Sequence, residues 1–206
     1  VKMLGDLWQD YQFQNVETAR TIKPLPQDIK DLFVELQRKQ DIHGKLSIVG
    51  TLKDFPSADI RYSFLQLVLT ALGLPPQYHH FKFVYWAKQE GIYDDLKNII
   101  EAQGKDFVKE YENLFVSTAL AKAVLQIKPD FAENEAKVKE NFKINFKRQD
   151  TISRDQFINT LKTEVFPLFY GDKIPCTIIV LDEVQQFIGQ DGNKTIDIQN
   201  LAQDVC

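Results

Sequence analysis

Asp182 and Glu183 are the side chains in this sequence best placed to do chemistry. They follow Thr177-Ile178-Ile179-Val180-Leu181, an apolar, mostly β-branched run that reads as a strand buried on both faces. Acids at the carboxyl end of such a strand lie where open α/β sheets bind their ligands. One carboxylate can hold a magnesium ion there, and a second can polarise a water against a nucleotide γ-phosphate. Asp182 then holds the metal through a water and Glu183 is the general base. The plainer alternative is a buried strand ending in two solvated acids, because short motifs often match by chance.

A strand followed by two acids is the Walker B pattern. Its companion, G-x-x-x-x-G-K-[ST], cradles phosphate on backbone amides and neutralises it with lysine. The nearest string here is His43-Gly44-Lys45-Leu46, which has Lys39 where the first glycine belongs and Leu46 where the hydroxyl belongs. It is rejected. A phosphate loop leads at once into a helix, and Val1, Leu4, Trp8 and Tyr11 recur at helical spacing. Ile198, Leu201, Ala202 and Val205 do the same at the other end. The expectation is a fragment of a larger protein, cut just after such a loop.

Other candidates read more blandly. His79-His80 has no acid or cysteine at metal-ligand spacing and reads as polar loop after Pro75-Pro76. Phe81, Phe83, Tyr85 and Trp86 could stack bases but read as core. Lys137, Lys139, Lys143, Lys147 and Arg148 alternate with Glu133, Glu135 and Glu140, the pattern of a solvated helix face. Cys176 leads into the strand and reads as inert.

The elements that must position the acids follow from periodicity. Ile29, Leu32, Phe33 and Leu36 mark a helix that stops before Gly44, and Leu46–Leu52 reads as a second strand weakened by Gly50. Ser57 caps a helix to Leu72, and Gly73 with Pro75-Pro76 stops it. Helices are expected over 81–88, from Ile92 to about Gly104, from Phe107 until before Pro129, and from Phe131 to Phe146. Ser153-Arg154-Asp155-Gln156 opens another, ending at Pro167. Asp191-Gly192-Asn193 reads as a turn before a last helix near Thr195. Two strands flanking so long a helical block exceed one crossover. The expected class is therefore α/β and helix-dominated: a partial nucleotide-binding core at 1–77, an all-helical insertion at 78–167, and the acid-bearing strand with its following helix at 168–206.

The 206 residues are 44% hydrophobic with 15 Phe, enough for a core and against disorder. A net charge of −4 supplies no global field for nucleic acid. The sequence shows no bilayer-length apolar run and no signal peptide, so the expectation is a cytoplasmic protein with Cys176 and Cys206 reduced. A sheet of so few strands leaves apolar edge uncovered, which predicts self-association.

The string Ile178-Ile179-Val180-Leu181-Asp182-Glu183-Val184-Gln185-Gln186-Phe187-Ile188-Gly189, with Asn200-Leu201-Ala202-Gln203-Asp204 after it, resembles the P-loop ATPase of bacterial BREX phage-exclusion systems (the BrxC and PglY type). Val1-Lys2-Met3-Leu4-Gly5-Asp6-Leu7-Trp8 resembles the helix that follows the phosphate loop in that family. The resemblance covers these ends best. It implies an AAA+-like P-loop core, ATP and Mg2+ as ligands, and partners among other proteins of the same defence system near DNA. Asp182 matches the family's metal-binding acid and Glu183 its catalytic acid. The phosphate loop has no counterpart here, so the chain alone should be inactive. Two alternatives stay open: a signalling, STAND-like ATPase, and a non-enzymatic helical protein-interaction module.

Overall fold

The computed structural model describes residues 44–57, 59–189 and 192–205, with scattered positions from 31 to 43. Two compact units are formed, Val1–Leu72 with Thr151–Cys206, and Gly73–Asp150. In chain order the elements are β1 (Lys45–Thr51), α1 (Ile60–Ala71), α2 (Tyr78–Gln89), α3 (Tyr93–Ala102), α4 (Phe107–Glu112), α5 (Thr118–Ile127), α6 (Glu135–Asn145), α7 (Arg154–Asn159, continuing as a π-helical turn over Thr160–Val165), α8 (Pro167–Tyr170), β2 (Cys176–Asp182), α9 (Val184–Ile188) and α10 (Gly192–Val205). The units divide at Gly73 and Thr151, where periodicity placed the breaks after 77 and 167. The helical stripe expected at Val1–Tyr11, and Ile29, Leu32, Phe33, Leu36 and Asp191, lie outside the described residues.

In the first unit β1 and β2 pair in parallel, with Lys45 beside Cys176 and Thr51 beside Asp182. Alternation puts Leu46, Ile48 and Gly50 on one face with Thr177, Ile179 and Leu181. Helix α1 packs on that face. Gly50 is what lets it come close: a Cβ there would lie 2.5 Å from Leu67 Cδ1. The glycine that weakens the strand pattern is thus a helix–sheet contact. Phe64 of α1 meets Phe157 of α7 edge-to-face at 6.0 Å, and Leu65, Leu161 and Val165 are also buried.

The amino end of the sheet is clamped. Gly44 has φ +83, and the Tyr170 ring fills the space its Cβ would need, 2.7 Å away. Tyr170 Oη donates to the Lys45 carbonyl at 2.9 Å, and Cys176 N–H donates to the Gly44 carbonyl at 2.9 Å. Helix α10 is tied down by Asp204, which accepts from Arg61 Nε at 2.7 Å and from Arg154 Nε. Burial pushes the Asp204 carboxyl pKa up, but the two arginines outweigh it and hold it below its ordinary value.

Several expectations need correction here. The β2 strand is not buried on both faces: Cys176–Leu181 are half-buried, because β1 is its one neighbour among the described strands. Asp59, not Ser57, caps α1. Its Oδ1 accepts from Arg61 N–H at 2.9 Å and its Oδ2 from Ile152 N–H at 2.7 Å. Pro167 does not end the local helix but opens the turn of α8. The short helix α9, hidden in the Val184–Ile188 string, is new, and α10 begins at Gly192 rather than Thr195.

The second unit contains helices and no strand among its described residues. Phe83, Leu96, Ile100, Leu120, Val124 and Phe142 form its buried centre. The single helix expected from Phe107 to before Pro129 is broken, because Ser117 Oγ caps α5 by accepting from Leu120 N–H at 2.9 Å. Helix α6 starts at Glu135 because Asn134 Oδ1 accepts from Lys137 N–H at 3.0 Å. Phe81 and Phe83 are core, as read. Lys137 pairs with Glu140 at 2.8 Å on an exposed face.

His79 and His80 are not loop residues: both are buried in α2. His79 stacks on Phe115, centroids 5.5 Å apart, and the Arg148 guanidinium lies 5.2 Å from that ring on its own account. Burial lowers the His79 pKa to about 4, helped by the charges of His80 and Arg148. Burial also lowers that of His80, against a hydrogen bond to the Glu112 backbone. A histidine pKa lowered by folding gives stability that is complete above about 6.5 and is lost as pH falls through that value toward about 4. Thermal unfolding should therefore show a melting temperature that drops between pH 6.5 and 4. The His79→Leu variant should flatten that drop; an unchanged pH profile would contradict the buried neutral imidazole.

Candidate functional site at the strand tips

The in-register pairing carries Thr51 beside Asp182, so the residues after the two strands meet. Beyond β1 the chain enters a short 3-10 turn, Leu52–Asp54, capped by Thr51 Oγ1, which accepts from Lys53 N–H at 3.3 Å. Beyond β2 it turns at Glu183 directly into α9. Lys53 Nζ donates to Glu183 Oε2 at 3.3 Å across a sequence separation of 130 residues. It also donates to Gln186 Oε1.

Glu183 has φ +54, the left-handed conformation, and is the one non-glycine with positive φ among the described residues. Such a placement costs an L-residue roughly 1–2 kcal/mol. Local bonds hold it there. Asp182 Oδ1 accepts from Glu183 N–H at 2.8 Å. The Glu183 carbonyl accepts from Gln186 N–H at 3.0 Å and Phe187 N–H at 3.1 Å, starting α9. Both acids are exposed. The Lys53–Glu183 ion pair is solvated, its side chains 40% and 44% exposed, so it contributes at most about 1 kcal/mol.

An open cleft of about 490 Å³ lies beside these tips, lined by Leu52, Lys53, Pro56, Ser57, Gln186, Phe187 and Lys194. Lys194, in the first turn of α10, donates to the Phe187 carbonyl at 3.3 Å, and its ammonium sits 4.9 Å from that ring centre. A smaller hollow of about 240 Å³ lies between Phe64, Leu161, Phe166 and Ile179. Its lining is mostly apolar, and neither Asp182 nor Glu183 is part of it.

Among the described residues no group of three or more His, Cys, Asp or Glu side chains converges to hold a metal. Magnesium does not require one. It binds through one or two carboxylates and completes its octahedron with water and substrate phosphates. Asp182 and Glu183, adjacent, exposed and hard in their oxygen donors, suit that mode.

The two sequence-predicted site residues therefore stand together at the strand tips. His79, His80, Tyr85 and Trp86 belong to the other unit. Cys176 sits at the opposite end of β2. Gly44-Lys45 opens a strand, not the helix a phosphate loop requires. Lys53, Gln186 and Lys194 join the site although no motif in the sequence marks them. Gln186 stands inside the string that carried the resemblance, but nothing local marks Lys53, whose partner lies so far along the chain.

No helix among the described residues is long and apolar enough to cross a membrane. Removing the Glu183 carboxylate in two ways isolates the backbone strain. Glu183→Gly is expected to be about 1 kcal/mol more stable than Glu183→Ala in urea unfolding, since glycine takes positive φ freely. Equal stabilities would mean the left-handed turn is not held in solution. Comparisons with protein-family models, curated proteins and solved structures returned no match for this chain.

Proposed function

We propose that this chain is part of an ATP-hydrolysing P-loop protein, with the first unit as a partial AAA+-like core and Gly73–Asp150 as its helical insertion. The observation that carries the reading is the placement of Asp182 and Glu183 at the carboxyl end of β2, beside that of the parallel strand β1 and next to a cleft. Asp182 would hold Mg2+, which would neutralise phosphate charge, and Glu183 would accept a proton from the water that attacks the γ-phosphate. Hydrolysis drives a change of conformation rather than the turnover of a metabolite. The sequence contains no G-x-x-x-x-G-K-[ST] loop, so this chain alone binds ATP weakly and does not turn it over.

The resemblance of the Ile178–Gly189 string supports bacterial antiviral defence of the BREX type as the setting, in the cytoplasm. Other proteins of that system, acting near DNA, are the proposed partners. The half-buried β2 strand supports self-association. A signalling, STAND-like ATPase would share the same strand tips.

One observation favours a non-enzymatic interaction module instead: Glu183 is already engaged by Lys53 and Gln186. The Glu183→Gln variant separates the two in the full-length protein. On the ATPase reading it retains ATP but loses turnover by at least about a hundredfold. Unchanged hydrolysis would overturn the assignment of Glu183. A wild-type protein that shows no thermal shift with Mg-ATP would favour the module.

A further inference from the structure

The cleft beside the strand tips is cationic. Its lining contains Lys53 and Lys194, the hydroxyl of Ser57 and the amide of Gln186, and no carboxylate. Asp182 and Glu183 are not among its lining residues, and Glu183 Oε2 lies 3.3 Å from Lys53 Nζ. The chain as a whole carries a net charge of −4, so this pairing of lysines is not the overflow of a basic surface.

Both ammonium groups are already oriented. Lys194 is fixed by the Phe187 carbonyl and ring, and Lys53 by Gln186 and the Glu183 carboxylate. Orienting a long side chain beforehand removes part of the entropy that binding would otherwise cost. Lys194 also lies in the first turn of the 14-residue helix α10, where the backbone dipole adds partial positive charge.

We infer that this cleft is an anion site for the polyphosphate class, with Lys194 as its fixed contact and Lys53 as a contact that passes from Glu183 to the incoming phosphate. The exchange is an ion-pair swap. It breaks the Lys53–Glu183 bridge, forms a lysine–phosphate bridge and leaves the Glu183 carboxylate unpaired. The inference rests on the nucleotide reading of the same strand tips, and deepens it by assigning two cations to the ligand.

Pyrophosphate without magnesium tests it on this chain, by titration calorimetry at low salt. Millimolar or tighter binding is expected, weakening with salt. Lys194→Gln and Lys53→Gln are each expected to weaken it by about tenfold, and Lys194→Arg to restore it. Lys122→Gln, in the other unit, is the control for net charge and should leave binding unchanged. Retained far-ultraviolet dichroism shows that each variant folds. Absence of pyrophosphate binding, or equal binding by Lys194→Gln and Lys122→Gln, would overturn the site. Tighter binding of a short DNA duplex through the same lysines would overturn the polyphosphate assignment. Pyrophosphate binding lost in Lys194→Gln, beside normal turnover in Glu183→Gln, would keep the anion site and remove only the ATPase role of Glu183.

Discussion

The pairing of β1 with β2, parallel and in register, is the constraint on which the site depends. Parallel strands bring like ends together, so one pairing decides that Lys53 and Glu183 meet although 130 residues separate them. A slip of β2 by one residue would turn Ile179 away from the face that carries Ile48 and carry the tips apart. The register is held from both sides. The Tyr170 clamp over Gly44 fixes the amino end, and α1 fits down onto Gly50. Neither clamp touches the acids, yet both determine where the acids lie.

At the tips, charge and backbone strain act together. Glu183 occupies a conformation that costs energy, and its own side chain stays exposed. What it gains is the immediate turn into α9, which places Gln186 over the Lys53 ammonium. Strain of this kind, at an exposed carboxylate next to a cleft, is where function is first sought. The ion pair that satisfies Glu183 is weak because it is solvated. A ligand with more negative charge than one carboxylate can therefore compete for Lys53. A half-buried strand with a strained tip stands in contrast to the second unit, whose aromatic centre around Phe83 and Phe142 is fully buried.

How much of this was legible varies with the range of the interaction. The Thr177–Leu181 run announced its strand because β-branched residues crowd there, and the acids announced the tip. Caps read well where the oxygen serves the next turn, as at Ser153, which accepts from Gln156 N–H at 3.2 Å. They misread where a second residue competes, as Asp59 displaced Ser57 by also bonding Ile152. His79 and His80 looked like loop because histidine after two prolines is usually polar surface, and only packing against Phe115 and Tyr111 buries them. Lys53 was invisible for the same reason: its meaning is tertiary. The π-helical turn over Thr160–Val165 has no signal in the sequence that we can name.

The central claim is that a nucleotide's metal rests on the acids at these tips. Manganese replaces magnesium in such sites and broadens nearby amide resonances. With Mn2+-ADP added to the isotope-labelled chain at millimolar concentration, the account predicts selective loss of the Thr51–Lys53 and Asp182–Gln186 amides, sparing the helical unit. Broadening centred instead on Glu135 and Glu140 of α6, or none at all, would contradict it.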